Sequence, residues 1–166
     1  MTVLDELNRA PREAFVARLG GIYEHSPWVA ERAFAARPFA TLDALHAAMQ
    51  RAVAEASADE QLALLRAHPE LAGRLAAARL TEHSRREQAG AGLDRITAEE
   101  RQRMQQLNER YREKFGFPFI VAVKGLDGAG ILERMEARLS HTREAEIAAA
   151  LDEVGRIARF RLEALP

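Results

Sequence analysis

The sequence predicts an all-α fold, a single-domain multi-helix bundle over residues 1–166 with one extended apolar segment at about 117–123. Three observations predict it. Apolar residues recur at helical spacing in nearly every segment, which gives each helix one stripe to bury. Ser57 with Glu60, and Thr97 with Glu100, have the spacing of capping boxes, in which a hydroxyl and a carboxylate satisfy orphan amides at a helix start. The run from Phe117 to Val123 is aromatic and β-branched, and no second strong strand exists to pair with it.

Taken in order, Phe15, Val16, Leu19, Ile22 and Tyr23 form a first stripe, with Pro11 near the helix start. Ser26-Pro27 reads as an N-cap hydroxyl followed by proline at the first helical position. Trp28 and Phe34 then turn inward, and Pro38 ends that element. Thr41 opens the next helix, with Leu42, Leu45, Met49 and Val53 on one face. The Ser57 box starts a helix carrying Leu62, Leu64 and Leu65 into His68, where Pro69 stops it. The proline ring disfavours the α region for the residue before it, so His68 should sit at the helix end.

The Thr97 box opens a long helix with Met104, Leu107, Tyr111 and Phe115 on one face, closed by Gly116. The run 117–123 is too short and too proline-interrupted for a helix, so it should be extended. After a glycine-rich turn, Ile131, Leu132, Met135 and Leu139 mark another helix. The last helix shows Ile147, Leu151, Val154, Ala158 and Leu165 on one face. Stepping about 100° per residue puts Arg161 on that face and Arg159 well away from it.

Composition narrows the function classes. Of 166 residues, 48% are apolar and 30% charged, an ordinary globular balance for one domain with a sizeable core. A net charge of −1 leaves no basic footprint for nucleic acid or an anionic membrane. The absence of cysteine excludes disulfides, a thiolate nucleophile and a zinc–thiolate site. The N-terminus lacks a signal-peptide pattern, and no apolar run approaches the ~18–20 residues of a membrane span. A cytoplasmic protein is the expectation.

Four features carry candidate chemistry. His68 is fixed by the backbone break at Pro69, although a histidine there also suits simple capping of the last carbonyls. Ser84 and Glu87 have capping-box spacing, and a helix start beside Arg85, Arg86 and Gln88 offers amides and positive charge to an anion. The backbone of 117–123 must be satisfied either by other protein groups or by a bound ligand. Arg161 on a core face calls for a structural ion pair or a bound anion. Both readings stay open for each.

Other motifs are weak. His83 and Glu87 stand four apart, but no His-Glu-x-x-His pattern supports a metal site. The turn at 125–130 has neither dinucleotide-binding nor P-loop spacing, and no Gly-x-Ser-x-Gly elbow is present. What remains suits cofactor-free proton chemistry on a small anion. A non-catalytic helical module binding a small anion or a protein through the same pocket is the alternative.

Several blocks in sequence order resemble the 2-oxo-4-hydroxy-4-carboxy-5-ureidoimidazoline (OHCU) decarboxylases of urate catabolism. They are Tyr23-Glu24-His25-Ser26-Pro27-Trp28-Val29-Ala30, Arg37-Pro38-Phe39, His68-Pro69-Glu70-Leu71, Glu87-Gln88 with Gly92-Leu93-Asp94, Asn108-Glu109-Arg110-Tyr111, and Lys114-Phe115-Gly116-Phe117-Pro118-Phe119-Ile120. The resemblance implies an all-α enzyme without metal or organic cofactor that converts OHCU to (S)-allantoin. It implies His68 as catalytic acid/base and Glu87 as its polar partner. Pro69, Ser84, Arg85, Arg86 and Gln88 would line the substrate pocket, together with the backbone of Phe119, Ile120, Val121, Ala122 and Val123. Arg161 would hold an anionic or carbonyl part of the ligand. It also implies a homodimer.

Overall fold

A computed structural model describes residues 1–69 and 96–166. Among them are eight helices: α1 (Val3–Arg9), α2 (Arg12–Leu19), α3 (Trp28–Phe34), α4 (Leu42–Ala54), α5 (Ala58–Ala67), α6 (Ala98–Phe115), α7 (Gly128–Arg138) and α8 (Arg143–Glu163). No described residue lies in a strand, so the all-α expectation holds. No described helix is long and apolar enough to cross a membrane. The chain packs as two compact units, Met1–Ala67 with Gly155–Pro166, and His68–Val154.

In the first unit the local signals mostly do what they predict. Thr2 caps α1 in a box with Asp5, and the Thr41 hydroxyl accepts from the Ala44 amide at 3.1 Å to start α4. The Ser57 box is formed at α5, its two amide hydrogen bonds each 3.1 Å long. Leu45, Met49 and Val53 are buried on α4, as are Leu64 and Leu65 on α5. Phe15 lies at the centre, its ring edge-on to Phe34 at 5.3 Å and stacked on Phe39 at 6.4 Å.

Two details differ from the sequence reading. Helix α2 ends at Leu19 rather than running on to Tyr23. The reason is Gly20-Gly21, which costs more backbone entropy in a helix than any other residue type. A Cβ on Gly20 would lie 2.7 Å from the Val16 carbonyl oxygen, so a side chain has no room there. Ile22 and Tyr23 are still buried, but from a turn. Ser26 does not cap α3 through its side chain. Its hydroxyl donates instead to the Glu24 carbonyl at 3.2 Å, and Pro27 occupies the N-cap position.

The second unit contains α6, α7, the first part of α8 and the segment 117–123. The Thr97 box forms at α6, with amide bonds of 3.1 and 3.0 Å. Met104, Leu107, Tyr111 and Phe115 are all buried, which confirms the predicted stripe. Gly116 ends the helix at φ +82°, a left-handed conformation natural to glycine, and its amide donates to the Arg112 carbonyl. Residues 117–123 then lie in neither helix nor strand. Asp127 caps α7 by accepting from the Gly130 amide at 2.8 Å.

Candidate active site

Helix α5 ends at Ala67, so His68 stands immediately outside it, as the proline at 69 requires. Both His68 and Pro69 are half-buried. Ser84, Arg85, Arg86, Glu87 and Gln88 lie outside the described residues.

The segment 117–123 is built as a buried wall. Phe117, Phe119, Ile120, Val121 and Val123 are buried and Ala122 is half-buried. The Tyr111 ring contacts those of Phe115, Phe117 and Phe119 at centroid distances of 4.6, 5.7 and 5.4 Å, the last two edge-on. Such rings bring about 1.5–3 kcal/mol each by burial and fix the segment's side chains. Among the described residues, two of its carbonyls accept from other protein groups. That of Val123 accepts from the Leu126 amide at 2.9 Å, and that of Ile120 accepts from an Arg138 guanidinium N–H.

Arg138 belongs to a buried polar cluster that the sequence reading did not single out. Its guanidinium is ion-paired with Glu146, whose side chain is fully buried. Glu146 Oε1 also accepts from the Tyr111 hydroxyl, and Oε2 lies 3.0 Å from His141 Nδ1. Burial, and secondarily the bond to Glu146, push the Tyr111 phenol well above its usual range, so Tyr111 stays a proton donor to the carboxylate. The signal was present as spacing. Arg138 follows Ile131 and Met135 on one helical face, and Glu146 precedes Ala150 and Val154 on another.

Arg161 lies in the first unit and is 2% exposed. One guanidinium nitrogen donates to Glu24 Oε1 at 2.7 Å and another to the Ile22 carbonyl at 3.1 Å. The predicted inward arginine is therefore real, and it makes the structural ion pair that was one of its two readings. Tyr23, Glu24 and Ser26 are buried, while His25 between them takes a left-handed φ of +55° and stays exposed. Arg159 points outward and pairs with Asp43 and Glu163.

His68, Pro69 and residues 119–123 thus belong to the second unit, and Arg161 to the first. Among the described residues, no group of three or more histidine, aspartate or glutamate side chains comes together as a metal site. The OHCU decarboxylase family model matches residues 8–163, nearly the whole chain.

The chain belongs to the OHCU decarboxylase family.

Relatives bear this out. The OHCU decarboxylase of Haloferax volcanii is 49% identical over 159 residues, covering 96% of this chain and 93% of the relative. Among solved structures, a crystal structure of (S)-allantoin synthase superposes with a TM-score of 0.77 at 34% identity, over 98% of this chain. This chain spans 54% of that protein's length. A crystal structure of an OHCU decarboxylase in the presence of (S)-allantoin shares the fold, with a TM-score of 0.70 at 19% identity over 94% of this chain and 98% of the other.

Proposed function

We propose that this family member decarboxylates OHCU to (S)-allantoin in urate catabolism, with residues 1–166 acting as one functional domain. The observation that carries the reading is the family match, which extends from residue 8 to residue 163 and so takes in parts of both compact units. The half-buried His68, held at the end of α5 by Pro69, supports an acid/base role.

The substrate bears a carboxylate and a hydroxyl on one ring carbon, beside a ring C=N carbon. The bond to the carboxylate breaks, carbon dioxide leaves, and its electron pair forms a double bond to the neighbouring ring carbon while the C=N pair moves onto the ring nitrogen, which takes up a proton from solvent. The hydroxyl proton is lost as that carbon becomes a carbonyl, and the neighbouring carbon gains a proton on one face. The substrate is its own electron sink, so the protein's part is orientation and proton transfer. In this proposal His68 handles the proton, since an imidazole titrates near neutrality. Glu87 is its polar partner. Ser84, Arg85, Arg86 and Gln88, with Pro69 and the backbone of residues 119–123, supply the pocket and its donors. Arg161 holds a carboxylate or carbonyl of the ligand while paired with Glu24.

We further propose a cytoplasmic homodimer with no nucleic-acid or membrane partner, in keeping with a net charge of −1. Light scattering on the purified protein reads the dimer directly. For the activity, urate is converted by uricase and hydroxyisourate hydrolase, and the circular dichroism of (S)-allantoin is followed with and without this protein. A rise faster than spontaneous decay, with one allantoin enantiomer, is expected. Racemic product at the background rate contradicts the assignment and favours a binding module.

A further inference from the structure

We propose that Arg138, oriented by Glu146, is a positioning residue that sets the Ile120–Val121 peptide and so aims the Val121 amide at the substrate. The inference rests on the reading that residues 119–123 line the substrate pocket.

The argument begins with what the segment lacks. It lies outside any helix, and no described residue lies in a strand, so no β-ladder fixes its peptide planes. Ring packing around Tyr111 anchors side chains, but apolar contact is non-directional and leaves peptide orientation loosely set. The Arg138–Ile120 bond is directional. Arg138 is the last residue of α7, where a long cationic side chain ordinarily runs out to solvent. Here it turns inward and is 8% exposed. One N–H donates to the Ile120 carbonyl, Nε donates to Glu146, and the guanidinium carbon lies 4.5 Å from the Phe119 ring centroid.

Glu146 makes that geometry unique. A guanidinium is a planar fork, so fixing one edge on a carboxylate fixes where the other edge points. The carboxylate is itself held by the Tyr111 hydroxyl from α6 and by His141 from the turn between α7 and α8. A buried ion pair is weak support for stability, because apolar replacements of similar volume are often as stable. Specificity of position is the better account of this one. The peptide bond after Ile120 is trans, since Arg37–Pro38 is the only cis bond among the described residues. In a planar trans peptide the C=O and the following N–H point in opposite directions. Holding the Ile120 carbonyl against Arg138 therefore drives the Val121 N–H away from it, as a preset donor.

The test uses the full chain, 15N-labelled at valine, with (S)-allantoin as the probe. Three variants are compared with wild type: Arg138→Lys, Glu146→Gln, and the double variant Arg138→Met/Glu146→Gln, which strands no buried charge if a single variant fails to fold. Allantoin is expected to shift the Val121 amide resonance in the wild type. In the folded variants the free-state Val121 resonance should move, and the Kd for allantoin should rise about tenfold, the loss of one well-aimed hydrogen bond. KM should rise with it. A merely structural role lowers the melting temperature but leaves Kd, KM and the Val121 resonance unchanged. That result, with Val121 still responding to allantoin, overturns the positioning role and leaves the pocket reading standing. No response of Val121 or Val123 to allantoin in the wild type overturns the pocket reading and this inference with it.

Discussion

Tyr23, Glu24 and Arg161 show how single residues trade solvation for geometry. The Tyr23 side chain is 2% exposed, its hydroxyl has no hydrogen-bond partner among the described residues, and burial pushes the phenol far above its ordinary range. An unpaired buried hydroxyl costs about 1–3 kcal/mol. Tyr23→Phe is therefore expected to leave stability unchanged or raise it by about 1 kcal/mol, read as the midpoint of urea unfolding. A loss of more than that shows the hydroxyl to be partnered. Arg161 is the opposite case. Removing it strips buried Glu24 of its guanidinium, and breaking such a pair costs about 3–5 kcal/mol. Arg161→Ala should thus lower the melting temperature as well as weaken allantoin binding. Binding must be measured on folded protein, and an unaltered Kd there removes Arg161 from the ligand site.

At the scale of elements, caps and stoppers were the most legible features because they are local. Ser57, Thr41, Thr97, Gly116 and Pro69 each act within a few residues of themselves, and each does what its spacing predicts. The stripe on α6 was legible for the same reason. The end of α2 was misjudged because Ile22 and Tyr23 keep the apolar spacing after Gly20 has ended the helix. The Ser26 hydroxyl was misjudged because it competes between an amide ahead and the Glu24 carbonyl behind. The box at α5 also carries a pH dependence. Arg32, and then the Ser57 amide, hold the Glu60 carboxyl below its usual 4.5. A carboxyl lowered on folding contributes stability above the unfolded value, and that contribution is lost as pH falls through the folded value. The stability difference between wild type and Glu60→Gln should therefore be present at about pH 6 and shrink towards about pH 3. A difference independent of pH contradicts the assignment.

For the whole molecule, the fold class was legible because helical periodicity reports burial, and the family because its residue blocks stand in order along the chain. The features on which the proposed site rests were legible in part. His68, the apolar run and the inward Arg161 each announce themselves through a local anomaly: a proline, a strand-like run without a partner, a cation on a core face. Arg138 and Glu146 share helical faces with buried apolar residues, but spacing along two separate helices does not show that they pair with each other. Only folding brings Tyr111, Ile120, Arg138 and Glu146 together from positions 35 residues apart at most. The central claim is that the imidazole at the end of α5 moves the proton that makes allantoin chiral. His68→Gln keeps size and hydrogen bonding but cannot serve as an acid/base near neutrality. With freshly generated substrate, this variant should retain its far-UV helical signal while the dichroism of (S)-allantoin rises no faster than in buffer. Turnover equal to the wild type, with the same enantiomer formed, contradicts it.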